Sequence, residues 1–393
     1  MALPARFMFQ NHKSEIVVLI TGAFHAFGGI ETFNRCLIKA LDQIAARNGR
    51  RVRIFSLLDT SEQFAAMPLG PQMEIHCFSG NRVSFTFAAV AAARRADLVL
   101  FGHVNFSPLA LLAGPPSKAL FVYGVDVWRV MPTLQKFGVS RMQRIFSISS
   151  FTAESMASLN RIERGRFTLL PLTLDPGYVD LGNRQTRGRS ELCLPDGRML
   201  LTVSRLNTSD AYKNIDRLMQ ALPPVFDRFP DAFSVIIGEG DDRARLERVS
   251  HDLGIAAKVL FRGRVSDDLL PSYYKNCDIF ALPSTKEGFG IVFLEAMYYG
   301  KPCIGANWGG VPEVVANNHT GILVDSPSPA NIQNALLRLL NDASLSRTFG
   351  ERGKTRFEQE FAFPWFCQRV ERIVCPELAD ALPESVCAGS KLA

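Results

Sequence analysis

Residues 283–325 read PSTKEGFGIVFLEAMYYGKPCIGANWGGVPEVVANNHTGILVD, and this stretch decides the fold. It follows an apolar strand, CDIFALP, and opens with a polar, glycine-bearing turn from Ser284 to Gly290. Ile291 to Tyr299 has the composition of a helix. Gly300, followed by Lys301-Pro302, is a stop: glycine accepts the left-handed cap and proline cannot continue a helix. CIGA is a second strand and NWGG a second glycine turn. VPEVV carries Pro312 where a helix tolerates it, in the first turn, and HTG leads into a third strand, ILVD. Strand, turn and helix repeated in this way predict a parallel sheet with helices on its faces.

Two carboxylates stand out within the stretch. Glu287 lies in the turn at the carboxyl end of a strand, where open α/β sheets bind ligands. Glu295 lies about one and a half turns into the following helix at 1.5 Å rise per residue, so both can face one crevice. Between them Gly288 and Gly290 allow backbone to approach a ligand, and the helix amino terminus favours negative charge. Carboxylates accept hydrogen bonds from paired hydroxyls, while free amides hold phosphate. A ligand with hydroxyls at both ends and phosphate between them is a nucleotide sugar.

Glu287 and Glu295 with seven residues between them, together with GFG, GKP and GGVPEVV, resemble the E-x7-E signature of the retaining GT-B glycosyltransferases of family 4, the glycosyl transferases group 1. The resemblance implies an α/β chain of GT-B type, two doubly wound Rossmann-like domains facing across a cleft. Residues 1–185 would form the acceptor domain and 186–355 the nucleotide-sugar domain. Residues 356–393 would form a terminal helix returning to the first domain, and a tail.

The rest of the chain fits that expectation element by element. EIVVLITGAF is a buried strand, and Phe33, Leu37, Ile38, Leu41 and Ile44 give the next helix its repeat. Gly28-Gly29 opens this helix; the pair fits neither the dinucleotide fingerprint nor a P-loop, and by resemblance it reaches the donor diphosphate. RVRIFSLLD, EIHCFS and ADLVLFGHV are further strands. His103 follows the last of these, at the place of the family's active-site histidine. SKALFVYGVDVWR holds Tyr123-Gly124 where many relatives have His-Gly, and Tyr123 and Asp126 are acceptor-side candidates. IFSISSFTAESMAS predicts a strand and a helix capped by Ser150 or Thr152. Residues 180–196, polar and glycine-containing, predict a linker. RMLLTVSRL then begins a second sheet, with Lys213-Asn214 at the start of the next helix, NIDRLMQAL. By resemblance Arg205 and Lys213 contact the phosphates. Gly238, Arg264 and Val265 take the donor's nucleotide end, and Gly288, Phe289, Gly290 and Ile291 line it with backbone. The segment from Ser328 to Phe361 predicts continuous helix.

Composition excludes several classes. The chain has 393 residues, 47% hydrophobic and 21% charged, enough for two globular domains. No run approaches the roughly 18 apolar residues of a membrane span, and no secretory leader is evident at the start. The eight cysteines show no CxxC spacing, which predicts a reduced, cytoplasmic setting and no zinc site. The net charge of +6 is uneven: residues 1–185 hold 20 Lys and Arg against 12 Asp and Glu. The clusters Arg47/Arg50/Arg51/Arg53, Arg94/Arg95 and Arg161/Arg164/Arg166 suggest peripheral contact with anionic lipid at the inner face of the cell membrane. No nucleic-acid module is recognisable.

The implied reaction is transfer of a sugar, with retention, from a nucleotide donor such as a UDP- or GDP-sugar to a hydroxyl of a glycan or lipid-linked acceptor. Synthesis of bacterial surface or extracellular polysaccharide is the expected setting. Glu287 would hold hydroxyls of the transferred sugar and Glu295 those of the ribose, with no cofactor and no metal. Alternatives within the same fold are a non-catalytic nucleotide-sugar-binding protein, an epimerase and a phosphorylase.

Overall fold

The structure, a computed structural model, describes residues 14–375 except 27, 115 and 185. Two parallel sheets form the architecture. The first has seven strands: β1 (Glu15–Ile20), β2 (Arg51–Ser56), β3 (Met73–Cys77), β4 (Leu98–Phe101), β5 (Ser117–Val122), β6 (Arg144–Ser147) and β7 (Phe167–Leu169). Their order is β3-β2-β1-β4-β5-β6-β7. The second has six: β8 (Met199–Val203), β9 (Phe233–Ile237), β10 (Val259–Gly263), β11 (Ile279–Leu282), β12 (Cys303–Ala306) and β13 (Gly321–Val324), in the order β10-β9-β8-β11-β12-β13. In each sheet the order reverses beside the first strand, the doubly wound arrangement that places ligands at the strands' carboxyl ends. Val17, Val18, Leu200 and Leu201 are almost wholly buried, as strands covered by helices on both faces require.

The described residues form two compact units. One comprises 14–121, 131–145 and 370–375, and the other 122–130 and 146–369.

Local chemistry explains the element ends. The helix Ile291–Tyr298 stops at Gly300, which sits at φ 66°. The Gly300 amide donates to the Met297 carbonyl at 2.9 Å, and the Lys301 amide to the Ala296 carbonyl at 2.9 Å. This paired closure needs the left-handed residue that glycine supplies.

Four local expectations change. The residues read as a linker begin inside a helix, Pro176–Arg184, because Asp175 Oδ1 accepts the Gly177 amide at 2.8 Å and caps it. The helix Ser150–Asn160 is capped by Ser149, whose hydroxyl accepts the Thr152 amide at 3.2 Å, not by Ser150 or Thr152. Asn214 stands left-handed at φ 55°, so Lys213 ends a 3-10 turn, Thr208–Lys213, and the helix proper is Ile215–Gln220. The long helical segment breaks at Asp342, which caps the next helix by accepting the Leu345 amide at 2.9 Å. That helix ends in a π-turn, Phe357–Phe361.

Candidate functional site

The turn after β11 carries Glu287, and the 3-10 turn after β8 delivers Lys213 to it. Lys213 Nζ donates to Glu287 Oε1, and the two side chains are 14% and 13% exposed. Backbone and side-chain bonds stitch the two turns together. The Thr285 amide donates to the Tyr212 carbonyl at 2.8 Å, and Asn214 Nδ2 bridges the carbonyls of Tyr212 (3.0 Å) and Pro283 (2.8 Å).

The NWGG turn lies against the same loop. The Gly310 amide donates to the Glu287 carbonyl at 2.9 Å. A Cβ on Gly309 would meet the Glu287 carbonyl oxygen at 2.4 Å, and one on Gly310 the Gly288 oxygen at 2.2 Å. The GGVPEVV motif thus serves close packing of backbone on the E-x7-E turn. Phe289 points into the core against Phe361, so only its backbone is available to a ligand. Gly290, at φ 94°, caps the helix Ile291–Tyr298 without a side-chain acceptor.

Glu295 faces tyrosines. Tyr274, fully buried on the helix Leu270–Asn276, donates its hydroxyl to Glu295 Oε2 at 2.6 Å. Tyr299 stacks on Tyr274 at 6.0 Å, and Tyr178 comes in from the helix Pro176–Arg184. Burial pushes the Glu295 carboxyl up to about 7; the Tyr274 hydrogen bond opposes this and the charge of Asp267 adds to it. Sequence reasoning missed Tyr274, because an apolar-looking YY pair on a short helix reads as core.

Arg205 is drawn to Asp210. Its guanidinium lies 3.3 Å from that largely buried carboxylate, which also accepts the Tyr212 hydroxyl (2.7 Å) and Asn207 Nδ2 (3.1 Å). Arg205 itself is 59% exposed. Burial, then the bond to Asp210, lifts the Tyr212 phenol to about 12. Gly238 has a packing role: at φ 146° its Cβ would fall 1.7 Å from the Ser204 carbonyl oxygen. Arg264 is exposed and Val265 half-buried just beyond β10.

Tyr123 and Asp126 belong to the same unit as this loop and meet it. A Cβ on Gly288 would lie 2.1 Å from the Tyr123 carbonyl oxygen. Asp126 Oδ1 accepts the Tyr123 amide at 3.3 Å, while Oδ2 is buried without a partner. Burial drives this carboxyl to about 6 against the nearby amides of Gly124 and Tyr123. Trp128 packs edge-on to Trp308 at 5.6 Å, and Phe151 closes the cluster at 4.7 Å from Trp308. Glu313, of the GGVPEVV motif, accepts the amides of Ser150 (2.9 Å) and Phe151 (3.1 Å), a carboxylate on a helix amino terminus.

In the other unit Gly28 caps the helix Gly29–Asn48 with no side-chain acceptor, leaving its first amides to backbone or ligand. The loop before it is fixed by the buried Asp59, which accepts the amides of Ala23 (2.6 Å), Phe24 (2.9 Å) and His25 (2.8 Å). His103 follows β4, and its Nδ1 accepts the Asn105 amide at 3.1 Å, which places the neutral ring's proton on Nε2.

The first arginine cluster is engaged within the protein. Arg47 pairs with Glu371 at 3.3 Å, Arg51 with Glu74 at 2.6 Å, Arg53 with Glu15, and Arg50 donates to the Val374 carbonyl. Among the described residues no helix is long and apolar enough to cross a membrane.

These features define an α/β protein of GT-B architecture with paired acidic residues beside cationic ones at the carboxyl ends of its second sheet. The family described as glycosyl transferases group 1 matches residues 187–356. The GDP-mannose-dependent alpha-(1-6)-phosphatidylinositol monomannoside mannosyltransferase of Mycobacterium tuberculosis is 33% identical over 295 residues, covering 70% of this chain and 74% of that protein. The chain belongs to this glycosyltransferase family. Two solved structures share the fold. HepE of Anabaena in complex with UDP has TM-score 0.73, 17% identity, and covers 94% of this chain and 100% of that one. The sucrose-phosphate synthase of Thermosynechococcus elongatus has TM-score 0.74, 20% identity, and the same coverage.

Proposed function

We propose that this glycosyltransferase moves a sugar, with retained configuration, from a nucleotide donor to a hydroxyl of a lipid-linked glycan at an anionic membrane. GDP-mannose is the first donor to test, because the mycobacterial relative is named for it. The observation carrying the reading is the Lys213–Glu287 pair beside Gly288 and the start of a helix. One group accepts sugar hydroxyls and the other meets phosphate charge.

As the bond from sugar to phosphate breaks, negative charge grows on the leaving diphosphate. Lys213, fixed in a partly desolvated turn, and the more exposed Arg205 gain attraction as it grows and so favour the transition state over the ground state. On this reading the donor phosphates draw Lys213 from Glu287, releasing that carboxylate to the sugar. Arg205 exchanges Asp210 for phosphate in the same way. Glu295 takes ribose hydroxyls, and a phosphate oxygen of the leaving group accepts the acceptor's proton, so no divalent ion is needed. Product analysis by NMR after turnover of GDP-mannose tests the stereochemistry: an α-linked product from the α-donor is expected, and a β-linked product overturns retention.

A further inference from the structure

Glu287 is met by a cation and Glu295 by phenols. Lys213 donates to Glu287, whereas among the described residues Glu295 has no ion-pair partner. Its neighbours come from separate elements. Tyr274 lies on the helix Leu270–Asn276, Tyr178 on Pro176–Arg184, Tyr299 just past the helix of Glu295 itself, and Asp267 in the loop after β10.

Tyr274 makes the direct contact. Its hydroxyl donates to Glu295 Oε2 at 2.6 Å, the length of a hydrogen bond to a charged oxygen, and lies 3.4 Å from the Val292 carbonyl. The ring is fully buried, with Phe280 at 5.7 Å and Tyr299 stacked at 6.0 Å, so packing gives that hydroxyl one position. The helix Pro176–Arg184 closes over the cluster. A Cβ on Gly182 would meet the Tyr299 hydroxyl at 2.0 Å, and Tyr298 donates to Asn183 Oδ1 at 3.0 Å. Lys275, a nearby cation, is engaged by the Gly182 carbonyl (2.7 Å) and the Thr186 hydroxyl (2.8 Å). Burial, and then the Glu295 charge, pushes the Tyr274 and Tyr178 phenols well up, so both stay protonated at neutral pH.

A vicinal pair of hydroxyls donates two hydrogen bonds. An ionised carboxylate accepts both, while a protonated one gives up part of that capacity to its own proton. A lysine against Glu295 would neutralise it and would have to be displaced by the ligand. A neutral phenol orients the group and leaves its charge to the ligand. We infer that Tyr274 is the positioning residue for the ribose of the nucleotide: by holding Oε2 it fixes the plane of the Glu295 carboxylate and presents the remaining lone pairs to the 2′- and 3′-hydroxyls. The inference rests on Glu295 as the ribose ligand, and adds that ribose recognition follows the ionisation of Glu295. Burial raises that ionisation to about 7, the Tyr274 bond opposes the rise and Asp267 adds to it. Recognition of ribose therefore strengthens as pH rises through 7.

The test compares GDP and UDP with their 2′-deoxy counterparts by calorimetric titration from about pH 5 to 9. The ratio of the two affinities cancels the titration of the terminal phosphate. Wild type is expected to favour ribose by about tenfold or more above pH 7, the scale of one hydrogen bond to a charged group, and to lose that preference as pH falls. Tyr274→Phe keeps the ring. It should cut the preference at pH 7 several-fold and move its midpoint upward, because the bond favouring the ionised form is gone. In a Glu295→Gln background the same substitution should cost no further preference, since no charge remains to be positioned. A Tyr274→Phe chain that melts lower yet keeps the wild-type preference and midpoint overturns the inference and makes Tyr274 a packing residue. So does a wild-type preference that is flat across this pH range. A Glu295→Gln chain that keeps the full preference overturns the Glu295 assignment itself, and the inference with it.

Discussion

Tyr274 Oη lies 2.6 Å from Glu295 Oε2, a hydrogen bond from a fully buried phenol to a carboxyl that burial has lifted to about 7. One oxygen of Glu295 is therefore held by the protein. The raised folded pKa has a consequence for stability. Between the ordinary carboxyl value of 4.5 and about 7 the folded chain binds this proton more tightly than the unfolded chain does. The contribution is fully present below that window and is lost as pH rises through 7. Glu295→Gln keeps an acceptor for Tyr274 and removes the titration. Its melting temperature relative to wild type should therefore rise steadily from pH 5 to pH 8. A difference independent of pH would remove the buried, titrating carboxyl from the account.

Nucleotide binding should report the same residue. Glu295→Ala is expected to weaken the free nucleoside diphosphate by roughly 1.5–3 kcal/mol, the scale of a hydrogen bond to a charged group. The full donor should lose the same amount. Calorimetric titration with GDP and UDP measures both, and an unchanged affinity would place Glu295 outside the nucleotide site.

Lys213→Ala and Arg205→Ala should each lower kcat by on the order of a hundredfold or more, with a smaller change in donor KM. The two differ in their effect on stability. Lys213→Ala leaves Glu287, only 13% exposed, without its cation, whereas Arg205 is 59% exposed and its loss should cost little. Arg205→Lys should restore activity only in part, because an ammonium cannot reproduce a bidentate fork. Steady-state kinetics with thermal melts separate the two roles.

Two glycines should behave in opposite ways. Gly238→Ala forces a side chain onto the Ser204 carbonyl at a left-handed φ of 146°, and a destabilisation on the order of 1–3 kcal/mol is expected. A Cβ on Gly29 meets nothing within 4 Å, so Gly29→Ala should stay within about 0.5 kcal/mol of wild type. Reduced turnover in Gly29→Ala at unchanged stability would mark a place where ligand approaches backbone, and full activity would assign that glycine to the turn alone.

The residues that set the fold were legible because they act locally. Gly300 with Pro302 stops a helix, the VVLI and MLLTV runs are buried strands, and the Glu287–Glu295 spacing survives translation into a turn and a helix. What stayed hidden depends on partners far along the chain. Asp59 holds the Ala23–His25 loop across more than thirty residues, and Glu313 caps a helix more than a hundred and sixty residues earlier in the chain. Neither carboxylate carries a local signal. Ser149 displaced Ser150 as the cap because the hydroxyl one residue earlier reaches the Thr152 amide. The Arg47–Arg53 cluster looked free in sequence because Glu371 and Val374, its partners for Arg47 and Arg50, come from the far end of the chain.

The most direct measurement is nucleoside diphosphate release by the purified chain in EDTA, with GDP-mannose and then UDP-sugars as donors and a lipid-linked glycan as acceptor. Wild type should turn over one donor with EDTA present, and Glu287→Gln and Lys213→Ala should fall by on the order of a hundredfold. Turnover that EDTA abolishes, or that both variants retain in full, would contradict the metal-free transfer built on the Lys213–Glu287 pair.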